Sequence, residues 1–157
     1  MRRDFVRYWL LALAWTAVIL YASSDAFSAQ NTGSILEAVV TFLFGHVQRQ
    51  TFATLHFLAR KSAHVIEYGI LGLVWFRAWR GRRQGFAWKW AWLGLGVVLA
   101  TAIVDEVHQS FVPSRTGEVS DVFLDVAGAL AAQMVLWGAI RWKAMRVSYC
   151  PPERLQP

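Results

Sequence analysis

Lys61, His64, Glu67 and Tyr68 stand together in the stretch KSAHVIEY, directly before the apolar run GILGLVWF. At about 100° per residue a helix puts Lys61, His64 and Tyr68 on one face, with Glu67 at its flank. These residue types can act together. An imidazole and a carboxylate can exchange protons with a ligand, and an ammonium and a phenol can hold an anion. Two later stretches supply more of the same chemistry. DEVHQSFVPSR contributes Asp105, Glu106, Gln109 and Arg115, and SDVFLDVAG contributes Asp121 and Asp125. On a helix Asp105, His108 and Gln109 share a face, with Thr101 a turn below and Glu106 pointing about 100° away. Asp121, Asp125, Gly128 and Ala132 form a narrow stripe whose small residues let another helix approach closely. Asp121 is placed to cap its helix, and Asp125 falls about a turn deeper, where a carboxylate needs a proton, a cation or a metal. Arg115 and Lys61 are the expected cations for Asp125, and pairs such as Lys61 with Asp105 or Arg115 with Asp121 would fix helix register. No single stretch has a diagnostic metal-ligand spacing, so no metal or other cofactor is expected, although His64 or His108 can converge with the carboxylates.

The elements that must position these groups follow from composition. The chain has 157 residues, 56% of them hydrophobic and only 17% charged, with nine Trp and ten Phe. Its mean hydropathy is +0.35. Soluble domains carry about 25% charge, so this is the balance of a membrane protein of one domain. The net charge of +6 then belongs to basic loops beside apolar runs, not to a nucleic-acid surface. Cys150 is the single cysteine, which excludes an internal disulfide framework.

Four apolar stretches are expected to span, at about 8–24, 63–79, 87–104 and 122–140, followed by a basic tail over 141–157. The first follows an arginine-rich start, and a retained helix is expected there in preference to a cleaved signal. Between the first two spans, Ser34 with Glu37 has a capping-box spacing. Ile35, Leu36, Val39, Val40, Leu43, Phe44 and Val47 then repeat at the helical period. That segment is too short to cross and is expected to lie at the interface. Thr51–Arg60 reads as a second short helix leading into Lys61, and His46 and His56 as packing residues. The fold class is thus an all-α integral membrane protein with four transmembrane helices plus a short interfacial helix in the first outer loop.

Charge sorts by side. All of the 16 basic residues except Arg49, Arg60, Lys61 and Arg115 fall in the N-terminal segment, the 77–89 loop or the C-terminal tail. Basic residues collect in cytoplasmic loops, which puts both termini in the cytoplasm. Every carboxylate except Asp4 and Glu153, including Asp25, lies at or near the other side, with all four histidines. Trp79, Trp88, Trp90, Trp137 and Trp142 mark the cytoplasmic interface. The chemistry faces outward.

K-x-x-H-x-x-E-Y (Lys61, His64, Glu67, Tyr68), D-E-x-x-Q-x-F-x-P-x-R (Asp105, Glu106, Gln109, Phe111, Pro113, Arg115) and D-x-x-x-D-x-x-G (Asp121, Asp125, Gly128) occur in that order. With the Ser23-Ser24 pair after the first span, they make the chain resemble the VanZ-like family. The resemblance departs at Asp125, where the family commonly has Asn, and so adds a negative charge. The family is named for a protein associated with glycopeptide (teicoplanin) resistance, and the resemblance implies an integral membrane protein of the bacterial cell envelope, linked to cell-wall or antibiotic response, and no established reaction.

Three readings of the polar set remain open. In an enzyme, His64, Glu67, Asp105, Glu106 and Asp121 supply acid and base, while Lys61, Tyr68, Gln109, Arg115 and Asp125 bind substrate. The ligand is then anionic and lipid-linked or wall-derived, with membrane lipid, a cell-wall precursor or a glycopeptide as partner. A binding or sensing pocket uses the same groups without turnover. A structural cluster uses them only to fix helix register. No G-x-S-x-G, H-E-x-x-H or phosphate-loop signature decides among them.

Overall fold

The computed structural model describes residues 2–24, 29–113, 115 and 117–148. The expectations for Asp25, Cys150, Glu153 and Arg154 fall outside them. Five helices account for almost all of this: α1 (Arg2–Ala22), α2 (Ala29–Phe44), α3 (Arg49–Arg80), α4 (Trp88–Ser110) and α5 (Val119–Ser148). Three of them are long and apolar enough to cross a membrane: α1 from Phe5, α4, and α5 to Val147.

α3 is the packing centre, with α5, α4 and α1 against it. It runs 32 residues without a break. The expected separate helix over Thr51–Arg60 is therefore its first third. No proline interrupts the segment, and its only glycines, Gly69 and Gly72, are used for packing. At about 1.5 Å per residue α3 is roughly 48 Å long, well beyond a hydrocarbon core of about 30 Å. Its charged first third keeps its composition apart from that of the three apolar helices.

α3 and α5 run parallel and close together. A Cβ on Gly128 would stand 2.6 Å from the carbonyl oxygen of Val65, and one on Gly72 would stand 3.0 Å from the Ala129 Cβ. The small-residue stripe read from the sequence is thus the contact face of α5. Tyr68, Leu71, Trp75, Val98, Ala102 and Ala129 fill the core around this seam.

The end of the bundle away from the polar stretches is aromatic and basic. Trp9 packs edge-on against Trp75 and Trp79, and the Arg77 guanidinium lies 3.8 Å from the centroid of the Tyr8 ring. α3 stops at Gly81, whose φ of 61° suits a residue without a Cβ, and Arg77 donates to the Gly81 carbonyl. α5 continues to Ser148, so the expected basic tail begins as helix, with Arg146 over Trp142.

α2 begins at Ala29, five residues before the expected cap. Ser34 lies inside the helix, so the capping-box reading fails: the backbone was already helical upstream. α2 buries Val40 but leaves Ile35, Val39, Phe42, Leu43 and Phe44 exposed. It touches the bundle mainly through α3.

Candidate functional site

The polar ends of α3, α4 and α5 meet at one end of the bundle. Lys61, on α3, forms an ion pair with Asp121 on the first turn of α5, and its Nζ lies 3.4 Å from Glu118 Oε2. One turn further in, His64 Nδ1 lies 3.0 Å from Asp125 Oδ1. One more turn in, the Tyr68 hydroxyl donates to Asp105 Oδ2 on α4 at 3.1 Å, and Gln109 Nε2 donates to the same oxygen at 3.1 Å. The face shared by Lys61, His64 and Tyr68 therefore meets three carboxylates in sequence, two from α5 and one from α4. Asp125 and Tyr68 are fully enclosed, and Asp105, Gln109 and Asp121 nearly so.

Several expected placements change. Lys61 pairs with Asp121, not Asp105, because the parallel register of α3 and α5 brings the start of α5 level with Lys61. Arg115 does not reach Asp121; its Nη2 donates to the carbonyls of Ala22 at 2.8 Å and Ser24 at 3.2 Å, closing the loop over the end of α1. Arg60 takes that place, 3.8 Å from Asp121 Oδ2. Glu106 does not point away from the site. It is buried, and its Oε2 accepts the Glu118 backbone N–H at 2.7 Å. Gly117 makes this possible, since a Cβ there would stand 2.5 Å from the Glu106 carbonyl oxygen. His108 is the one that turns aside, to lie 3.3 Å from the Ser23 hydroxyl.

Burial costs the Lys61 ammonium hydration and works against its charge. The hydrogen bond and attraction to Asp121, with help from Glu118, outweigh this and raise its pKa above 10.5. Lys61 is thus a fixed cation at the rim.

Beside the ion pairs lies a cavity of about 270 Å³. His64, Glu67, Asp105, Gln109, Arg60 and Arg115 form its polar wall, and Ile19, Ala22, Leu36, Ala59 and Ala63 its apolar one. Glu67, at the flank as expected, is half-buried there. Trp15 Nε1 donates to its backbone carbonyl at 3.0 Å, which ties α1 to α3 at this level. Asp121, Lys61, Glu106, Tyr68 and Asp125 are adjacent but do not line the cavity.

The sequence reading made His56 a packing residue and gave no site role to Arg60 or Ser23, yet all three line the cavity. The signal for Arg60 was its place beside Lys61 on the side poor in basic residues. Ser23 had only the serine pair after the first span.

A family model described as VanZ/LLP1 matches residues 8–141. The chain belongs to the VanZ/LLP1 family. No curated protein and no solved structure matches it. The VanZ/LLP1 match runs from the first turns of α1 into α5 and contains every residue of the site. The three motifs, apart along the chain, are thus three walls of one place.

The arrangement can do two kinds of chemistry. A histidine oriented by a buried carboxylate, opening onto a cavity, can accept a proton from a ligand. Guanidinium groups beside an apolar wall can hold the head of an amphiphile.

Proposed function

We propose that this VanZ/LLP1 protein is a four-span plasma-membrane protein, with both termini cytoplasmic, whose outward pocket binds the anionic head of an envelope amphiphile. The fourth crossing is the Ala63–Trp79 part of α3. Its polar side chains His64 and Tyr68 are covered by α5 and α4, so composition alone underrates it. The basic residues gathered at the aromatic end favour that end as cytoplasmic.

The observation that carries the binding reading is the two-sided cavity. Its volume suits a phosphate-sized group with the first carbons of a chain. Arg60 and Arg115 meet the charge, while Ile19, Leu36 and Ala63 meet the chain. α2, apolar on its outer face, gives Thr32 and Leu36 to the cavity wall, which favours entry of such a ligand from the lipid side. A soluble wall fragment or a glycopeptide would use only the polar wall and is the weaker candidate.

The test is native mass spectrometry of the delipidated protein with a polyprenyl phosphate as probe. One bound molecule is expected, with retention about tenfold weaker in Arg60→Ala, equivalent to about 1.4 kcal/mol. Equal retention by the wild type and Arg60→Ala contradicts the reading.

A second reading adds turnover, favoured by His64 standing between Asp125 and the cavity beside Glu67. It predicts release of inorganic phosphate from the bound probe by wild type and none by His64→Ala at equal abundance. A probe that stays intact on the wild type leaves binding alone.

A further inference from the structure

Four ionisable side chains from three helices come together behind the cavity wall. Ligand-capable atoms of His64 (α3), Asp105 and Glu106 (α4) and Asp125 (α5) all lie within 4.8 Å of one another. All four residues are more than nine-tenths buried. We propose that this cluster is a binding site for one divalent transition-metal ion, Mn²⁺ or Zn²⁺.

The hydrogen bonds around the cluster are the independent observation that points to a ligand. Two of the carboxylates have one oxygen held from outside the cluster, Asp105 Oδ2 by Tyr68 and Gln109 and Glu106 Oε2 by the Glu118 amide, while Asp125 Oδ1 lies 3.0 Å from Nδ1 of the cluster's own His64. The other oxygen of each (Asp105 Oδ1, Glu106 Oε1 and Asp125 Oδ2) is enclosed and has no hydrogen-bond partner among the described residues. Outer donors thus hold Asp105 and Glu106, and each of the three carboxylates keeps one unpartnered oxygen as a candidate ligand atom. Orienting donors behind ligating carboxylates are the usual support of a metal site.

Charge leads to the same place. Asp121 has Lys61 and Arg60 as ion-pair partners. Asp105 and Glu106 enter no ion pair among the described residues, and Asp125 pairs only with His64. Three enclosed carboxylates with one imidazole between them demand positive charge, and a buried anion left without it is too costly to persist. A proton shared between two of these oxygens would meet only part of that demand. One dication meets it with the oxygens already present.

The donor set selects the ion. Three carboxylate oxygens with one imidazole nitrogen suit Mn²⁺ or Zn²⁺ better than Ca²⁺ or Mg²⁺, which favour oxygen alone. Bonds of about 2.0–2.2 Å put neighbouring donors roughly 3–3.5 Å apart, so the longest separations in the cluster, up to 4.8 Å, shorten by roughly 1.3–1.8 Å around the ion. His64 and Asp105 belong to both the cluster and the cavity wall. An ion there would turn an acidic wall into an acceptor for a ligand's phosphate or carboxylate oxygen. That last role rests on the pocket reading; the metal site itself does not.

The test uses the full chain in detergent, stripped with a chelator and dialysed against Mn²⁺ or Zn²⁺. Elemental analysis is expected to find one equivalent per chain, with a rise in thermal midpoint that the chelator reverses. Asp105→Asn and Glu106→Gln should each weaken affinity by tenfold or more in titration calorimetry. Glu37→Gln, an exposed carboxylate on α2, should leave it unchanged. If either cluster variant fails to fold, the wild-type stoichiometry and chelator-reversible shift decide alone. Wild-type protein that holds less than a fifth of an equivalent, or both variants binding as wild type does, overturns the site; Mg²⁺ bound in preference to both ions overturns the choice of metal. Polyprenyl phosphate retained without metal sinks this proposal and spares the pocket. Metal bound without polyprenyl phosphate does the reverse.

Discussion

Replacing Lys61 by Met removes the cation that faces Asp121 and leaves an unbranched apolar side chain of similar length. Asp121 is 1% exposed and its only other ion-pair partner among the described residues is Arg60, at 3.8 Å. Breaking a fully buried pair costs about 3–5 kcal/mol. Lys61 keeps 16% of its side chain in contact with solvent and Arg60 can move inward, which lowers the expected loss to about 2–3 kcal/mol. The pair's contribution has a definite pH range. A lysine whose pKa is raised on folding stabilises fully below its unfolded value and loses that contribution only as the pH climbs through the raised one, here above 10.5. The effect is therefore complete at neutral pH. Equilibrium unfolding in mixed SDS micelles reads it, alongside Asp121→Asn and the double variant. If the pair is real, the double variant is less destabilised than the sum of the singles by about 1–3 kcal/mol. Strict additivity, or a Lys61→Met protein as stable as wild type, refutes the pairing and with it the register of α3 on α5.

Gly128→Ala should destabilise by about 1–3 kcal/mol, since its methyl would meet the Val65 carbonyl at 2.6 Å and push two backbones apart. The same unfolding assay checks it, and an unchanged midpoint contradicts the close seam. Orientation is checked by single-cysteine labelling in a Cys150→Ser background. A membrane-impermeant maleimide should reach Gln50→Cys in intact cells and Arg82→Cys only after lysis, and the opposite pattern reverses the topology.

Much of this arrangement was legible in the chain because helical period and burial cost act locally. The face of Lys61, His64 and Tyr68 follows from their spacing, and the Asp121–Asp125–Gly128–Ala132 stripe shows that those carboxylates travel with a packing face. Which residue meets which was not legible. The pairing of Lys61 with Asp121 depends on the relative slide of two parallel helices, set by where Gly128 meets Val65, a contact between residues far apart in the chain. The burial of Glu106 was hidden for a related reason. One helical wheel cannot show that α5 and the Gly117 turn cover α4 on two sides, so that neighbouring Asp105 and Glu106 are both buried. α3 hid its continuity because its polar first third breaks the apolar period without breaking the helix.

The register of α3 against α5 brings three separated motifs into one site, and oxidative cross-linking tests it most directly. In a Cys150→Ser background, Gly69→Cys with Ala132→Cys should form a disulfide readily under mild oxidation. A Cβ on Gly69 stands 3.6 Å from the Ala132 Cβ, within the span such a bond requires. Gly69→Cys with Val135→Cys, on the exposed face of α5, should stay reduced. Cross-linking of the second pair in preference to the first would mean that α5 turns a different face to α3, and that the carboxylates of α5 do not meet Lys61 and His64.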